Sequence, residues 1–334
     1  MLWIVLGFLG ISLLLYSVLG GADFGAGALE FFVRKKDHKR HEQLVTKAMG
    51  PVWEANHIWL IILIVILFNG FPAVYTEFSI YFHIPLTLML IGIVFRGCAF
   101  TFRHYDAVKD ETHRYYSLAF SLSSILTPIM FGMIIGGMLL GVDPQAPTYY
   151  QRYVIPWLNF FCFSVGVFVL SIFTYLASVY LIGESSDEDS RNYYIKCAQI
   201  SNAVLIITGG LVFIFAELRG FHLLRMFFTN SLSTACCILA AVVTCFFWLK
   251  ILRREFSDWT LRFIAASQAG LVLFAWLAVI FPNMLFYANG DHLSIFEAAA
   301  PPVTINILGW SLMIGALLFL PILYYLIRVF KVNG

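Results

Sequence analysis

The sequence predicts an all-α integral membrane protein of about nine transmembrane helices, because of its composition, its recurring apolar runs and its uneven distribution of basic residues. Of its 334 residues, 60% are hydrophobic and only 12% are charged, whereas soluble domains carry roughly a quarter of charged residues. Apolar runs of about 18 residues or more recur along the chain, and each can cross a hydrocarbon core of about 30 Å. We therefore expect one multi-pass membrane domain.

The spans are read as apolar runs bounded by charge or by Gly and Pro. The first four are predicted at residues 2–32, 51–72, 78–102 and 115–141. The first run has no basic segment at its start and no small-residue cleavage site, so we interpret it as a retained helix and not as a signal peptide. Between the first two spans, Arg34–Met49 is polar and basic and is expected on the cytoplasmic surface beside anionic lipid.

The later spans follow the same rule. They are predicted at residues 155–183, 196–217, 230–251, 260–281 and 303–328. Residues 283–302 contain Asn289, Gly290, Asp291 and the pair Pro301 and Pro302, which break a helical pattern. We expect an ordered external loop there. The spans group into a first four-helix bundle (1–141), a second (155–281) and a ninth helix (303–328).

The basic residues predict the orientation of the chain. Of the 21 Lys and Arg residues, 18 lie toward one side of the nine-span arrangement and 3 toward the other. Because short cytoplasmic loops hold the excess of Lys and Arg, the N-terminus is expected outside and the C-terminus in the cytoplasm. The net charge of +2 is too small to suggest nucleic acid as a partner, so lipid and other membrane chains are the expected partners. The six cysteines have no metal-ligand or redox spacing.

Carboxylic acids within the spans are the candidate functional residues, since charged groups in a membrane are costly and need a partner or a task. Asp23 and Glu30 lie seven residues apart on one face of the first span, and Glu54 opens the second. With the predicted orientation, Asp23 lies roughly 16 Å deeper than Arg34, and Glu30 and Glu54 are shallow. The three acids form a graded series from the cytoplasm, which is typical of proton relays.

Structural alternatives exist for each acid. Asp23 could bond backbone groups or pair with Arg96, and Glu30 and Glu54 could simply reach the interface. For Glu30 we favour the interface, and for Asp23 and Glu54 the relay.

Haem ligation by this chain would need suitably placed histidines. Of the eight, only His57 and His83 lie within predicted spans, near opposite faces, so they cannot hold one haem between them. Single ligation by either stays open. No metal-binding or phosphate-binding motif is present.

Four motifs in order carry a family resemblance. GGADFGAGAL, PVWEANHIWL, FPAVY and RGCAFTFR occur within the first 105 residues, and the chain resembles subunit II of cytochrome bd-type quinol oxidases. The resemblance implies a bacterial or archaeal complex of the cytoplasmic membrane that oxidises quinol and reduces dioxygen to water. It implies that subunit I, the partner, ligates haem d and two haems b, and that this chain ligates none. Small accessory subunits, lipid and a quinone-like molecule bound in subunit II are further implied partners.

The resemblance also implies roles for single residues. Glu54 after Trp53 matches the acid of the family's cytoplasmic proton path, where an aspartate is also found, and Asp23 matches an aspartate beside that path. Trp59 matches a tryptophan of a lateral dioxygen route, although it could be an ordinary packed aromatic. Asn56 matches a polar motif residue that bridges an acid or holds helix packing.

Two other classes of function remain open from the residues. A secondary transporter could use the acids for proton coupling, although transporters usually have inverted repeats with broken helices at the midplane. A purely structural scaffold is the third interpretation.

Overall fold

The computed structural model describes residues 1–33, 37–50, 53–105 and 112–332. Within these residues nine helices are long and apolar enough to cross a membrane, which confirms the predicted number of spans. Arg34 and Pro51, where the predicted basic segment and second span begin, lie outside the described residues. Orientation and the division into two bundles stay predictions.

The first half of the chain contains four spans, one surface helix and one short connecting helix. Its elements are α1 (Leu2–Leu15), a π-helical turn (Tyr16–Gly20), α2 (Gly21–Phe32), α3 (His38–Met49), α4 (Trp53–Gly70), α5 (Pro72–Tyr81), α6 (His83–Tyr105) and α7 (Thr112–Leu140). The first span runs through α1, the π turn and α2. The predicted span 78–102 is divided at Phe82, between α5 and α6.

The second half contains the other five spans. Its elements are α8 (Tyr149–Tyr153), α9 (Phe160–Glu184), α10 (Glu188–Leu218), α11 (Leu223–Thr229), α12 (Ser231–Arg253), α13 (Asp258–Ile280), β1 (Asn283–Phe286), β2 (His292–Ser294) and α14 (Pro302–Val332). Side chains cap the helix starts: Asn159, Asp187 and Ser257 each accept a backbone N–H at the start of their helix. The Asp187 cap explains why α10 begins eight residues before the predicted span.

The connection between α13 and α14 is ordered, as predicted, and holds a small antiparallel sheet. β1 and β2 pair with Asn283 opposite Ser294 and Leu285 opposite Leu293. Leu285 is buried against the ends of the helices, so the apolar side of the strand anchors the loop.

Helix α9 is the centre of the packing, because it contacts α2, α7, α10 and α13. Close approach to α2 depends on Gly25, where an added Cβ would lie 1.9 Å from the backbone oxygen of Phe173. Gly132 on α7 similarly meets Gly166 on α9, with an added Cβ 2.6 Å from the Gly166 Cα. Small residues thus let the helix backbones touch, as in other membrane helix pairs.

Candidate functional site

Asp23 lies inside the protein at the contact between α2 and α4. Its exposed fraction is 5%. Asn56, in the first turn of α4, donates its side-chain N–H to Asp23 Oδ2 at 2.7 Å. Arg96 on α6 donates from Nη2 to the Asp23 backbone oxygen at 3.0 Å. Three spans therefore meet at this residue.

Arg96 supplies a buried positive charge beside Asp23. Its guanidinium lies over the rings of Phe24, at 4.7 Å, and Phe120, at 5.2 Å, and its Nε has no hydrogen-bond partner among the described residues. A buried guanidinium stays protonated and needs a nearby negative charge. Asp23 interacts electrostatically with Arg96 and meets that need. Of the two alternatives considered for Asp23, the charge pairing with Arg96 describes its surroundings, and the Arg96 hydrogen bond goes to the Asp23 backbone oxygen.

Glu30 does not reach the interface, so the interpretation that we favoured for it is wrong. Its exposed fraction is 1%, and Arg103 Nη1 bonds both carboxylate oxygens at 2.8 and 2.9 Å. Arg103 is itself buried and lies over the Phe120 ring at 4.5 Å. Sequence reasoning had placed Arg103 in a motif without a role. The available signal was a second arginine seven residues after Arg96 on the same helix face.

Helix α3 covers this ion pair and joins it to the second half of the chain. Glu42 approaches Arg103 Nε at 4.0 Å, and Arg40 pairs with Asp187 before α10. His41 is buried, with Nδ1 2.7 Å from the Tyr194 hydroxyl and Nε2 3.4 Å from the Ala26 backbone oxygen. Burial lowers the pKa of His41 to about 4. The neutral ring with its proton on Nε2 satisfies both contacts, since it donates to Ala26 and accepts from Tyr194.

Glu54 points away from the other acids. It is exposed on the first turn of α4, where the positive end of the helix dipole favours a carboxylate. The same face of α4 continues with exposed apolar side chains at Ile61, Val65 and Phe68, which follow at helical spacing. The structure therefore does not bring Glu54 into contact with Glu30, and neither of them lines the cavity described next.

A cavity of about 520 Å³ opens beside Asp23 between α2, α4, α9 and α13. Asp23, Asn56 and Trp59 line it together, and Glu184 and Arg262 lie on its wall. Trp59 is buried and meets the Phe319 ring of α14 edge-on at 6.4 Å. Trp53 lies outside the cavity lining, with its ring 5.6 Å from Phe100 and 6.1 Å from His57.

The two membrane histidines have different surroundings within the described part of the chain. The His57 ring stacks on Phe24 at 5.9 Å and meets Trp53 edge-on, and its buried Nδ1 has no hydrogen-bond partner among the described residues. Both ring nitrogens of His83 lie at hydrogen-bond distance from other groups, Nδ1 from the Ile80 oxygen and Nε2 from the Tyr149 hydroxyl. His57 opens α4, whereas His83 opens α6 beyond the far end of α4, so one haem cannot bridge them.

Comparison with known proteins identifies the family. The family model described as cytochrome bd terminal oxidase subunit II matches residues 1–330. The chain belongs to this family. Its fold is similar to a solved chain of the bd oxidase from Geobacillus thermodenitrificans, with a TM-score of 0.78, 18% identity and coverage of 100% of this chain and 99% of that one.

Curated relatives agree with the family. Over 327 residues the chain is 23% identical to cytochrome bd ubiquinol oxidase subunit 2 of Bacillus subtilis, covering 96% of this chain and 91% of that one. Over 186 residues it is 27% identical to cytochrome bd-I ubiquinol oxidase subunit 2 of Escherichia coli, covering 54% and 47%. The chain is thus a multi-pass subunit of a quinol oxidase of the bd type, in complex with a subunit I. The transporter interpretation finds no support in these comparisons.

Proposed function

We propose that this chain stabilises subunit I and supplies it with protons from the cytoplasm, within a complex that oxidises quinol and reduces dioxygen to water. Haem d and two haems b belong to subunit I in this proposal, and the complex lies in the cytoplasmic membrane. The single observation that carries the proton role is the buried Asp23 on the wall of a cavity at the meeting point of three spans.

Asp23 is suited to passing protons because its carboxyl group is buried beside the Arg96 charge and lies on the wall of a cavity. Asn56 donates to one carboxylate oxygen, and Arg96 is bonded to the backbone of the same residue. A carboxylate held this way can accept a proton from a water in the cavity and release it again. Glu30, clamped through both oxygens, is assigned a structural part instead, at the edge of this path.

Glu54 is proposed to face subunit I. A carboxylate on an apolar, exposed stripe of a transmembrane helix is costly in lipid, and a partner chain that covers Ile61, Val65 and Phe68 would bury that stripe and give Glu54 a polar neighbour. This position suits a residue that transfers protons from this chain to subunit I. Trp59 stands next to the same path and serves as a packed wall residue, or lines a dioxygen route.

A second cavity fits a quinone-like molecule. It measures about 580 Å³ and is lined by apolar residues of α1, α4, α7 and α13. Trp276 lies on its wall, and the indole N–H of Trp276 is buried with no acceptor among the described residues. An isoprenoid tail would fill the apolar volume, and a ring carbonyl would accept the indole hydrogen. The quinone is proposed here as a structural ligand.

The test is turnover of the purified complex with Glu54→Gln and with Asp23→Asn. Both variants are expected to reduce quinol-driven oxygen consumption by at least about tenfold, while the haem spectra stay as in the parent complex. Glu217→Gln is the matched control, because Glu217 is a partly exposed acid at the C-terminal end of α10. Normal turnover in both variants, with normal spectra, would leave only the scaffold role.

A further inference from the structure

A second acid, Glu184, lies at the opposite end of the cavity from Asp23. It ends α9 and pairs through Oε1 with Arg262 Nη2 at 3.0 Å. Side-chain exposure is 25% for Glu184 and 20% for Arg262, compared with 5% for the whole of Asp23. The cavity therefore runs from a partly exposed ion pair to a buried carboxyl group.

The length of this cavity follows from the packing of α2 on α9. Gly25 touches the backbone of Phe173, and both helices are odd-numbered spans that cross in the same direction. Glu184 consequently lies roughly 20 Å along the helix axis from Asp23 at 1.5 Å per residue. By the distribution of basic residues, that end faces the cytoplasm.

The ion pair is built into the wall of the cavity. Arg262 also donates to the Tyr180 backbone oxygen at 3.3 Å and lies over the Trp259 ring at 5.6 Å. Gly183 makes room for it, since an added Cβ there would lie 2.4 Å from Arg262 Nη2. These contacts fix the guanidinium, which in turn holds the Glu184 carboxylate at the cavity wall.

The volume is sufficient for a chain of water between the two acids. A cavity of about 520 Å³ has room for on the order of ten waters, at about 30 Å³ each in the liquid. The carboxylates of Glu184 and Asp23 at the two ends of the cavity, and the Asn56 amide beside Asp23, give such waters polar partners. Anion binding at Arg262 is disfavoured, because Glu184 already neutralises its charge.

We propose that Glu184 is the cytoplasmic proton acceptor that feeds Asp23 through this cavity, with Arg262 as the residue that positions it. The inference rests on the proposed proton role of this chain and adds its point of uptake. Protons then pass from bulk water to Glu184, along cavity water to Asp23, and onward past Asn56 toward Glu54. Glu54 becomes the residue of transfer to subunit I and not the point of uptake.

The first test is turnover of the intact complex carrying Glu184→Gln, with Glu184→Asp and Glu188→Gln beside it. Glu184→Gln is expected to reduce oxygen consumption roughly tenfold, because proton-transfer groups contribute about 10²- to 10⁴-fold and water at the open mouth substitutes in part. Glu184→Asp keeps a carboxylate and should recover most of the rate. Glu188 is exposed at the start of α10, outside the cavity, so Glu188→Gln should leave the rate unchanged.

The second test asks whether water fills the cavity and does not depend on turnover. Ala266 lines the cavity, and Ala266→Cys should react with a charged, membrane-impermeant thiol reagent applied from the cytoplasmic side. Peptide mass spectrometry distinguishes reagent bound at position 266 from reagent bound at the native cysteines. Labelling is expected to rise in Arg262→Gln, where the ion pair is lost.

The outcomes separate this inference from the proposed function. If Asp23→Asn slows the complex but Glu184→Gln does not, uptake through Glu184 is rejected and the role of Asp23 stands. If neither Asp23→Asn nor Glu54→Gln slows the complex, both proposals fall. If only Asp23→Asn has no effect, the path from Glu184 to Asp23 is rejected and the role of Glu54 stands. If Glu184→Gln does not assemble, the labelling decides: an unreactive thiol in the Ala266→Cys variant means a dry cavity and overturns the inference.

Discussion

Replacing Glu30 by Gln should destabilise the protein because it leaves a buried guanidinium without its carboxylate. The two side chains are 0% and 1% exposed, and two hydrogen bonds of 2.8 and 2.9 Å join them. Removing one member of a buried pair costs about 3–5 kcal/mol. We expect the lower end, about 3 kcal/mol, because Glu42 lies 4.0 Å from Arg103 Nε and the Phe120 ring lies over the guanidinium.

The assay is thermal unfolding of the purified complex in detergent, followed by size-exclusion chromatography after heating. A loss of this size should lower the midpoint by roughly 5 °C. The double variant Glu30→Gln, Arg103→Met removes both charges and should recover most of the loss, since the two effects are coupled. Glu42→Gln is the comparison and should cost less than Glu30→Gln, because Glu42 is more exposed and lies farther from Arg103. A Glu30→Gln midpoint equal to the parent, or a double variant no better than the single one, would refute this reasoning.

Three further predictions concern packing, pH and the Asp23 contact. Gly25→Ala should disrupt the contact of α2 with α9 and lower stability by about 3 kcal/mol or more, whereas Gly210→Ala, with nothing within 4 Å of an added Cβ, should leave the thermal midpoint unchanged. The pKa of His41 is about 4 when folded and about 6.5 when unfolded, so the unfolded chain binds more protons between these values. The contribution of neutral His41 to the free energy of unfolding should therefore be complete above about pH 6.5. It should be lost as the pH falls toward 4, by up to the order of 3 kcal/mol. In a His41→Gln variant the thermal midpoint should depend less on pH. Asn56→Ala should reduce turnover and leave the thermal midpoint nearly unchanged. A lowered midpoint with normal turnover would make the Asn56–Asp23 hydrogen bond purely structural.

The number of spans was predictable because length and hydropathy alone distinguish transmembrane helices from the rest of a chain. The irregular features of the fold were not predictable in this way. The break at Phe82 and the eight additional residues at the start of α10 depend on capping and local contacts, such as the Asp187 side chain that accepts from Ser190. The two short strands depend on the burial of Leu285 beneath the helix ends, which hydropathy cannot locate.

The candidate site was predictable in its residue types but not in its pairings. An acid within a span signals either a partner or a task, and spacing alone cannot decide which. Glu30 has a partner in Arg103, 73 residues later in the chain. Asp23 has Asn56 as its bonded neighbour, which the motif had suggested as a bridging residue. Glu184 was overlooked because it ends a span next to an acidic loop, where an exposed charge is the usual expectation.

Proton uptake timed against electron transfer tests the central claim most directly. The fully reduced complex is mixed with dioxygen in a weakly buffered solution with a pH-sensitive dye, and haem oxidation is followed at the same time. We predict that Glu54→Gln leaves the first oxidation of the haems unchanged and delays proton uptake by about tenfold. Uptake as fast as in the parent complex, in a variant with intact haem spectra, would contradict a proton path through this chain.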